Sequence, residues 1–328
     1  MKKGWLFTLL VVLSVVLAAC GGNKTAENTG ASTGTGSEAN AGAAQSNEEI
    51  VIKHQLGETK VKKNPQNVVV FDYGVLDTLD QLGVEVAGVP QESVPPYLEK
   101  YKDAKYTNVG SLKEADFEKV NAMSPDLIII SGRLADSYEE LSKIAPTIHM
   151  AVDNEDYMNS LTENVKTLGE IFGKEAEAEQ ALTTIEASAQ ALKDKVTAAG
   201  KNALIVLTNE GKLSAYGAGS RFGVIHDVFG FKPADANIEV STHGQSVSFE
   251  YVMETNPDYL FVVDRSAVVA GSGEAAPAKQ VIENELVKNT TAYKEGHIVY
   301  LDPNYWYLSG GGLESIQEMI KEVDASVE

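Results

Sequence analysis

DFEKVNAMSPDLIIISGR, residues 116–133, returns as SFEYVMETNPDYLFVVDR at residues 248–265, with a constant offset of 132 and no gap. Phe117 pairs with Phe249, Glu118 with Glu250, Val120 with Val252, Pro125 with Pro257, Asp126 with Asp258 and Arg133 with Arg265. Each copy reads as a short helix, a Pro-Asp turn and an apolar run. Such a run suits a parallel strand buried on both faces. A second pairing, Tyr73-Gly-Val-Leu with Phe222-Gly-Val-Ile, extends the likeness. Convergence of two short segments is the alternative to duplication. A match that continues through both helix and strand favours duplication, and with it two related α/β lobes.

Outward from the first copy, residues 67–71 and 84–89 read as strands. Residues 75–82, 113–122 and 137–144 read as helices. Residues 157–172 and 174–199 form a long helical stretch, rich in strong helix formers and stopped by Gly200. Strand–helix alternation restarts at residue 202. These boundaries predict an N-terminal lobe over residues 49–165, a connecting helix region over 166–200 and a C-terminal lobe over 201–328. A helical connection is stiffer than a loop, so the lobes should hinge only slightly.

The chain has three arginines, Arg133, Arg221 and Arg265, against twenty-four lysines. Arginine keeps its charge when partly buried and presents a planar fork of donors to anionic oxygens. Arg133 and Arg265 occupy matched repeat positions after strand carboxyl ends, where open α/β sheets bind ligands. The three are therefore expected to form a tripod for a multiply charged anion. The alternative is surface pairing with local acids, such as Asp264 beside Arg265. His243, in the polar loop 241–248, is a candidate to ligate a metal or donate to an anionic oxygen; bracing its loop is the other role open to it. Tyr305, Trp306 and Tyr307 precede the glycines 310–312 and a last helix. Their rings could stack on a flat ligand, a tyrosine oxygen suits iron(III), and the glycines would permit close backbone approach. Packing beneath the helix is the competing fate. Tyr73 is a candidate for the facing wall. Glu118 and Glu250, one per repeat helix, could dock onto basic pockets of a membrane partner.

The net charge of −20 argues against nucleic acid as a partner, because phosphates need a basic face. Residues 1–19 read as a signal peptide, with Lys2 and Lys3 before an apolar run and small residues before the cut. Cys20 is the chain's single cysteine, so no intrachain disulfide can form. Residues 20–48 read as a flexible tether without bulky apolar groups. P-loop, Gly-x-Ser-x-Gly, His-Glu-x-x-His and Gly-x-Gly-x-x-Gly signatures are missing. The reading is of a binding protein, not an enzyme, with no cofactor.

Several segments together resemble the lipid-anchored siderophore-binding proteins of bacterial ABC iron importers, closest to the branch that binds ferric petrobactin and other catecholates. Leu17-Ala-Ala-Cys20 is similar to a lipobox. KHQLGETKVKKNPQNVVVFDYGVLDTLDQLG (53–83), VGSLKEADFEKV (109–120), SPDLIIISGR (124–133), SAYGAGSRFGVIHDVFG (214–230), STHGQSVSFEY (241–251), NPDYLFVVDR (256–265) and YWYLSGGGLES (305–315) carry the rest. The resemblance implies two Rossmann-like lobes joined by one long α-helix, with a shallow cleft between them. It implies that Arg133, Arg221 and Arg265 face an anionic iron(III)–siderophore complex. It makes His243 and Tyr307, with Tyr305 in reserve, possible direct iron ligands, and Glu118 and Glu250 the permease-docking acids. Cys20 would be acylated, placing a monomer on the outer face of the cytoplasmic membrane of a Gram-positive cell. There it would serve a permease and its ATPase. Haem or a hydroxamate siderophore is the alternative ligand, and a lipid-anchored hydrolase of anionic substrates the alternative of another class.

Overall fold

Asp116 and Ser248 start the two repeat helices by the same means. Each side chain accepts a backbone N–H three residues on, from Lys119 and Tyr251, which satisfies a donor that a helix start leaves free. Ser124 and Asn256 end them in the left-handed region, at φ 49° and 45°. The Pro-Asp turn then ties each unit to its neighbouring strand. Asp126 accepts the backbone N–H of Asn67 at 2.9 Å, and Asp258 that of Asn202 at 3.0 Å.

The computed structural model describes residues 48–269 and 277–327; the signal peptide, Cys20 and all but the last residue of the tether lie outside them. A hairpin of β1 (Glu49–His54) and β2 (Gly57–Lys62) comes first. The chain continues through β3 (Val68–Val70), α1 (Tyr73–Gln81), β4 (Gly88–Val89), β5 (Thr107–Asn108), α2 (Phe117–Met123), β6 (Leu127–Ile130), α3 (Tyr138–Ser142) and β7 (Thr147–His149). Two long helices come next, α4 (Tyr157–Phe172) and α5 (Glu175–Ala199). The second half runs β8 (Asn202–Asn209), β9 (Lys212–Tyr216), α6 (Val224–Asp227), β10 (Lys232–Pro233), β11 (Gln245–Val247), α7 (Phe249–Thr255) and β12 (Tyr259–Asp264). It closes with α8 (Ala278–Ile282), α9 (Thr291–Glu295), β13 (Ile298–Leu301) and α10 (Leu313–Ser326).

The first sheet has the order β5-β4-β3-β6-β7 and is parallel throughout. The second has the order β11-β9-β8-β12-β13, with β10 beside β8. It is parallel across β8, β12 and β13 and antiparallel at β9 and β11. The repeat strands β6 and β12 thus occupy corresponding interior positions. Period-two alternation sorts their side chains. Leu127 and Ile129 join Phe261 and Val263 in one large cluster, whereas Ile128 and Ile130 enter a second cluster and Leu260 and Val262 a third. The large cluster also contains Leu76 of α1, Leu161 of α4, Ile185 of α5 and Ile316 of α10, so one apolar body joins both sheets.

Local chemistry shortens several expected elements. The helix predicted from residue 113 starts at Phe117, because residues 110–115 form a turn closed by a Gly110–Ala115 bridge and Asp116 supplies the cap only after that turn. The strand predicted over 84–89 forms only at Gly88–Val89, and the helix over 137–144 only at Tyr138–Ser142. The two long helices, by contrast, keep their expected bounds to within one residue on either side of Gly173, at φ 62°, and α5 has 25 residues, about 37 Å at 1.5 Å per residue. The hairpin β1–β2 is an addition to the sequence reading.

The last helix touches β13 of the second sheet and reaches beyond it. It packs against α5 and α1. Asp77 of α1 fixes it there: its carboxylate accepts the N–H groups of Glu314 and Ser315 at 2.7 and 2.8 Å, and the Tyr97 hydroxyl at 3.2 Å. An acceptor side chain at a helix start satisfies donors the helix leaves free, although burial pushes the Asp77 carboxyl up to about 7. The glycine run serves this contact. A methyl group on Gly312 would collide with the Asp77 carboxylate and the Gly74 carbonyl. Replacing Asp77 by Ala strands two buried N–H groups, so it should cost roughly 2–4 kcal/mol in chemical denaturation. A loss within experimental error would show that α10 is held by packing alone.

Candidate functional site

Three arginine-bearing segments and one helical turn meet around Tyr307. Arg133 follows β6 by way of Ser131 and Gly132, Arg265 directly follows β12, and Arg221 lies in the turn after β9. Tyr307 stands in the turn Asn304–Leu308 after β13, whose wide i→i+5 bond runs from the Ser309 N–H to the Asn304 carbonyl. The Tyr307 carbonyl accepts from Arg133 Nη2 and from Arg221 Nη2, each at 2.7 Å. The Tyr307 hydroxyl accepts from Arg265 Nε at 2.9 Å. The guanidinium carbons stand 5.9, 4.2 and 5.8 Å from the Tyr307 ring centre for Arg133, Arg221 and Arg265. These are cation–π distances. The duplicated pair, Arg133 and Arg265, is thus nearly equidistant from the ring.

The charges are only partly compensated. Arg133 lies 3.8 Å from Asp72, and Arg265 donates to the Asn209 side chain at 2.7 Å. Arg221 and Arg265 form no ion pair among the described residues, and Asp264 spends its carboxylate on the Ala278 N–H. Burial and the neighbouring Arg133 charge pull Arg221 below its ordinary pKa. Burial pushes the Tyr307 hydroxyl up. The hydrogen bond from Arg265 and the charges of Arg221, Arg265 and Arg133 outweigh burial and hold it below the ordinary phenol value. Each guanidinium has five N–H donors, and most find no acceptor among the described residues.

A cavity of about 630 Å³ opens on this cluster. Arg133, Arg221, Tyr307 and His243 line it, so the structure brings these expected residues together. Arg265 is absent from its wall and meets the cluster through the Tyr307 hydroxyl. The His243 ring is exposed, and its loop is pinned where the Tyr216 hydroxyl donates to the His243 carbonyl at 3.0 Å. Trp306 contributes to the cavity wall but is otherwise buried, donating to Glu322 at 2.7 Å and meeting Phe229 edge-on. Tyr305 turns away to pack on Tyr97, at 4.8 Å between ring centres.

Tyr73 does not face the main cavity as expected. It is 1 % exposed, its hydroxyl donates to the Pro90 carbonyl at 3.1 Å, and it touches only a smaller neighbouring cavity. Its repeat counterpart, Phe222, is equally buried. Glu118 and Glu250 are exposed at the starts of α2 and α7, away from the cavity. Two charged residues in the wall of this cavity escaped the sequence reading. Asp72 caps α1 by accepting from Gly74 and Val75, accepts the Ser131 hydroxyl at 2.5 Å, and approaches Arg133. Its position just before a helical pattern was the available signal. Lys113 lines both cavities; as one lysine among twenty-four it carried no signal. No cluster of three or more His, Cys, Asp or Glu able to hold a metal occurs among the described residues.

Tyr307 should be the first tyrosine to ionise on alkaline titration, since Tyr73, Tyr97, Tyr157, Tyr216 and Tyr305 are all pushed upward, chiefly by burial. A folded value below the unfolded one stabilises the protein above the unfolded pKa of about 10, and that gain is lost as pH falls through the folded value. Phenolate absorbance should therefore start to rise at a lower pH than in Tyr307→Phe, which should lose the earliest-titrating component. Identical early titration in the variant would contradict the assignment.

A family model described as periplasmic binding protein matches residues 68–305. The chain is 51 % identical to the petrobactin-binding protein YclQ of Bacillus subtilis (strain 168) over 332 aligned positions, covering 100 % of both. The crystal structure of YclQ matches with a TM-score of 0.83 and 55 % identity, covering 86 % of this chain and 99 % of that one. The catecholate-siderophore binding protein VctP of Vibrio cholerae matches with a TM-score of 0.81 and 40 % identity, over 85 % and 100 %. With this coverage, and two sheets bridged by a shared helical core, the chain belongs to the periplasmic binding protein family.

Proposed function

We propose that this protein captures an anionic ferric catecholate siderophore of the petrobactin type and delivers it to an ABC importer for iron uptake. The observation that carries the reading is the cavity onto which Arg133 and Arg221 open with most of their donors unspent. The relatives named for petrobactin and catecholate siderophores support the ligand class. A ferric tris-catecholate carries roughly −3, close to the charge of three guanidiniums. A nearly neutral hydroxamate complex would leave that charge uncompensated. Iron is the cargo here. His243 and Tyr307 line one cavity and could complete its shell when the siderophore offers too few donors. Arg265 then has a distinct role, donating to the Tyr307 oxygen and favouring its phenolate form. Nothing in this role requires bond-breaking, and the protein acts by binding alone.

Glu118 and Glu250 stand in equivalent places at the N-terminal turns of matched helices. Each projects a carboxylate into solvent, which suits docking of one lobe on each of two basic permease pockets. Acylation of Cys20 would hold the protein at the outer face of the cytoplasmic membrane, and residues 21–48 would let it reach the permease. Among the described residues no helix is long and apolar enough to cross a membrane.

Calorimetric titration of ferric petrobactin tests the ligand reading. Arg221→Ala and Arg133→Ala should each lose about tenfold or more in affinity, since a charge-assisted hydrogen bond contributes roughly 1.5–3 kcal/mol. Lysine in either place should recover only part of it. Wild-type affinity in both alanine variants would sink the arginine role. Glu118→Ala with Glu250→Ala should leave this titration unchanged and reduce iron uptake by cells; normal uptake would refute the docking assignment.

A further inference from the structure

The smaller cavity has a chemistry that anion capture does not require. It measures about 220 Å³ and shares Lys113, Arg133, Tyr307 and Leu308 with the larger one. Its remaining wall includes apolar Leu112 and Val268 and one carboxylate, Glu92. Glu92 is exposed and has neither an ion pair nor a hydrogen bond within the described residues, although Lys113 and Arg133 line the same space. The loop that carries it is fixed from behind by Tyr73, whose buried hydroxyl bonds to Pro90. A carboxylate held beside a cationic cluster opposes binding of any purely anionic ligand. It becomes favourable when the ligand itself brings a positive group to that place. Apolar side chains around it suit methylenes, which gain from leaving water.

We propose that the smaller cavity is a subsite for an alkylammonium arm of the ligand, its methylenes against Leu112 and Val268 and its ammonium on Glu92, while the iron chelate occupies the larger cavity. This rests on the ferric-catecholate reading above. It makes the preferred ligand a chelate of mixed charge, with a cationic arm joined to an anionic head.

Two synthetic chelators separate these claims: the iron(III) complexes of N-butyl-dihydroxybenzamide and N-(4-aminobutyl)-dihydroxybenzamide. The two ligands share the catechol head and differ in one terminal ammonium each, three per tris complex. Glu92→Gln should weaken binding of the aminobutyl complex about tenfold, as expected for loss of one charge-assisted contact. The same substitution should leave the butyl complex unchanged or tighter. Equal effects on both complexes overturn the subsite while leaving the ferric-catecholate reading intact. Failure of both complexes to bind the unsubstituted protein overturns that reading and this inference with it. Glu92 is exposed, so folding does not confound the comparison.

Discussion

Three guanidinium groups gathered around one tyrosine are the constraint on which the rest of the site depends. Like charges brought together repel, and among the described residues Asp72 is the one carboxylate paired with them. Tyr307 supplies the rest: a carbonyl for two arginines, a hydroxyl for the third, and a ring face within cation–π range of all three. The wide turn at Asn304–Leu308 is what turns that carbonyl toward the arginines instead of into a continuing helix. The cluster is consequently held in place while most of its donors stay free for a ligand.

That geometry demands that two halves of the chain keep a fixed relation, because Arg133 comes from the first sheet and Tyr307, Arg221 and Arg265 from the second half. The fold meets the demand with a shared apolar body. Side chains from alternate positions of both sheets enter one cluster with α1, α4, α5 and α10. The Asp77 carboxylate, bonded to the start of α10, closes the same connection.

The duplication was legible because the match covers caps, turn and strand alike: Asp116 and Ser248, Ser124 and Asn256, Asp126 and Asp258 perform the same local tasks. The arginines stood out by rarity. Where the reading of the site's tyrosines and glycines departed from the structure, the missing information was non-local. Tyr73 and Tyr305 carry the same functional groups as Tyr307, and only their surroundings decide that one bonds to Pro90 and another packs on Tyr97. Phe222, the repeat partner of Tyr73, has no hydroxyl and already marked that position as a packing one. The glycines 310–312 suggested approach to a ligand: Gly310 and Gly311 do line the main cavity, whereas Gly312 lies tightest against Asp77 of α1, 235 residues earlier. Lys113 and Glu92 are common residue types in loops, and only the shape of the cavities singles them out.

The central claim is that the cleft recognises the negative charge of an iron chelate. Its most direct test is a side-by-side titration of ferric petrobactin, a neutral ferric hydroxamate and haem, followed by quenching of the fluorescence of Trp306 in the cavity wall. Tight, saturable quenching by the catecholate alone is the expected result. Tight binding of the neutral hydroxamate, or of haem, with no response to the catecholate would contradict it.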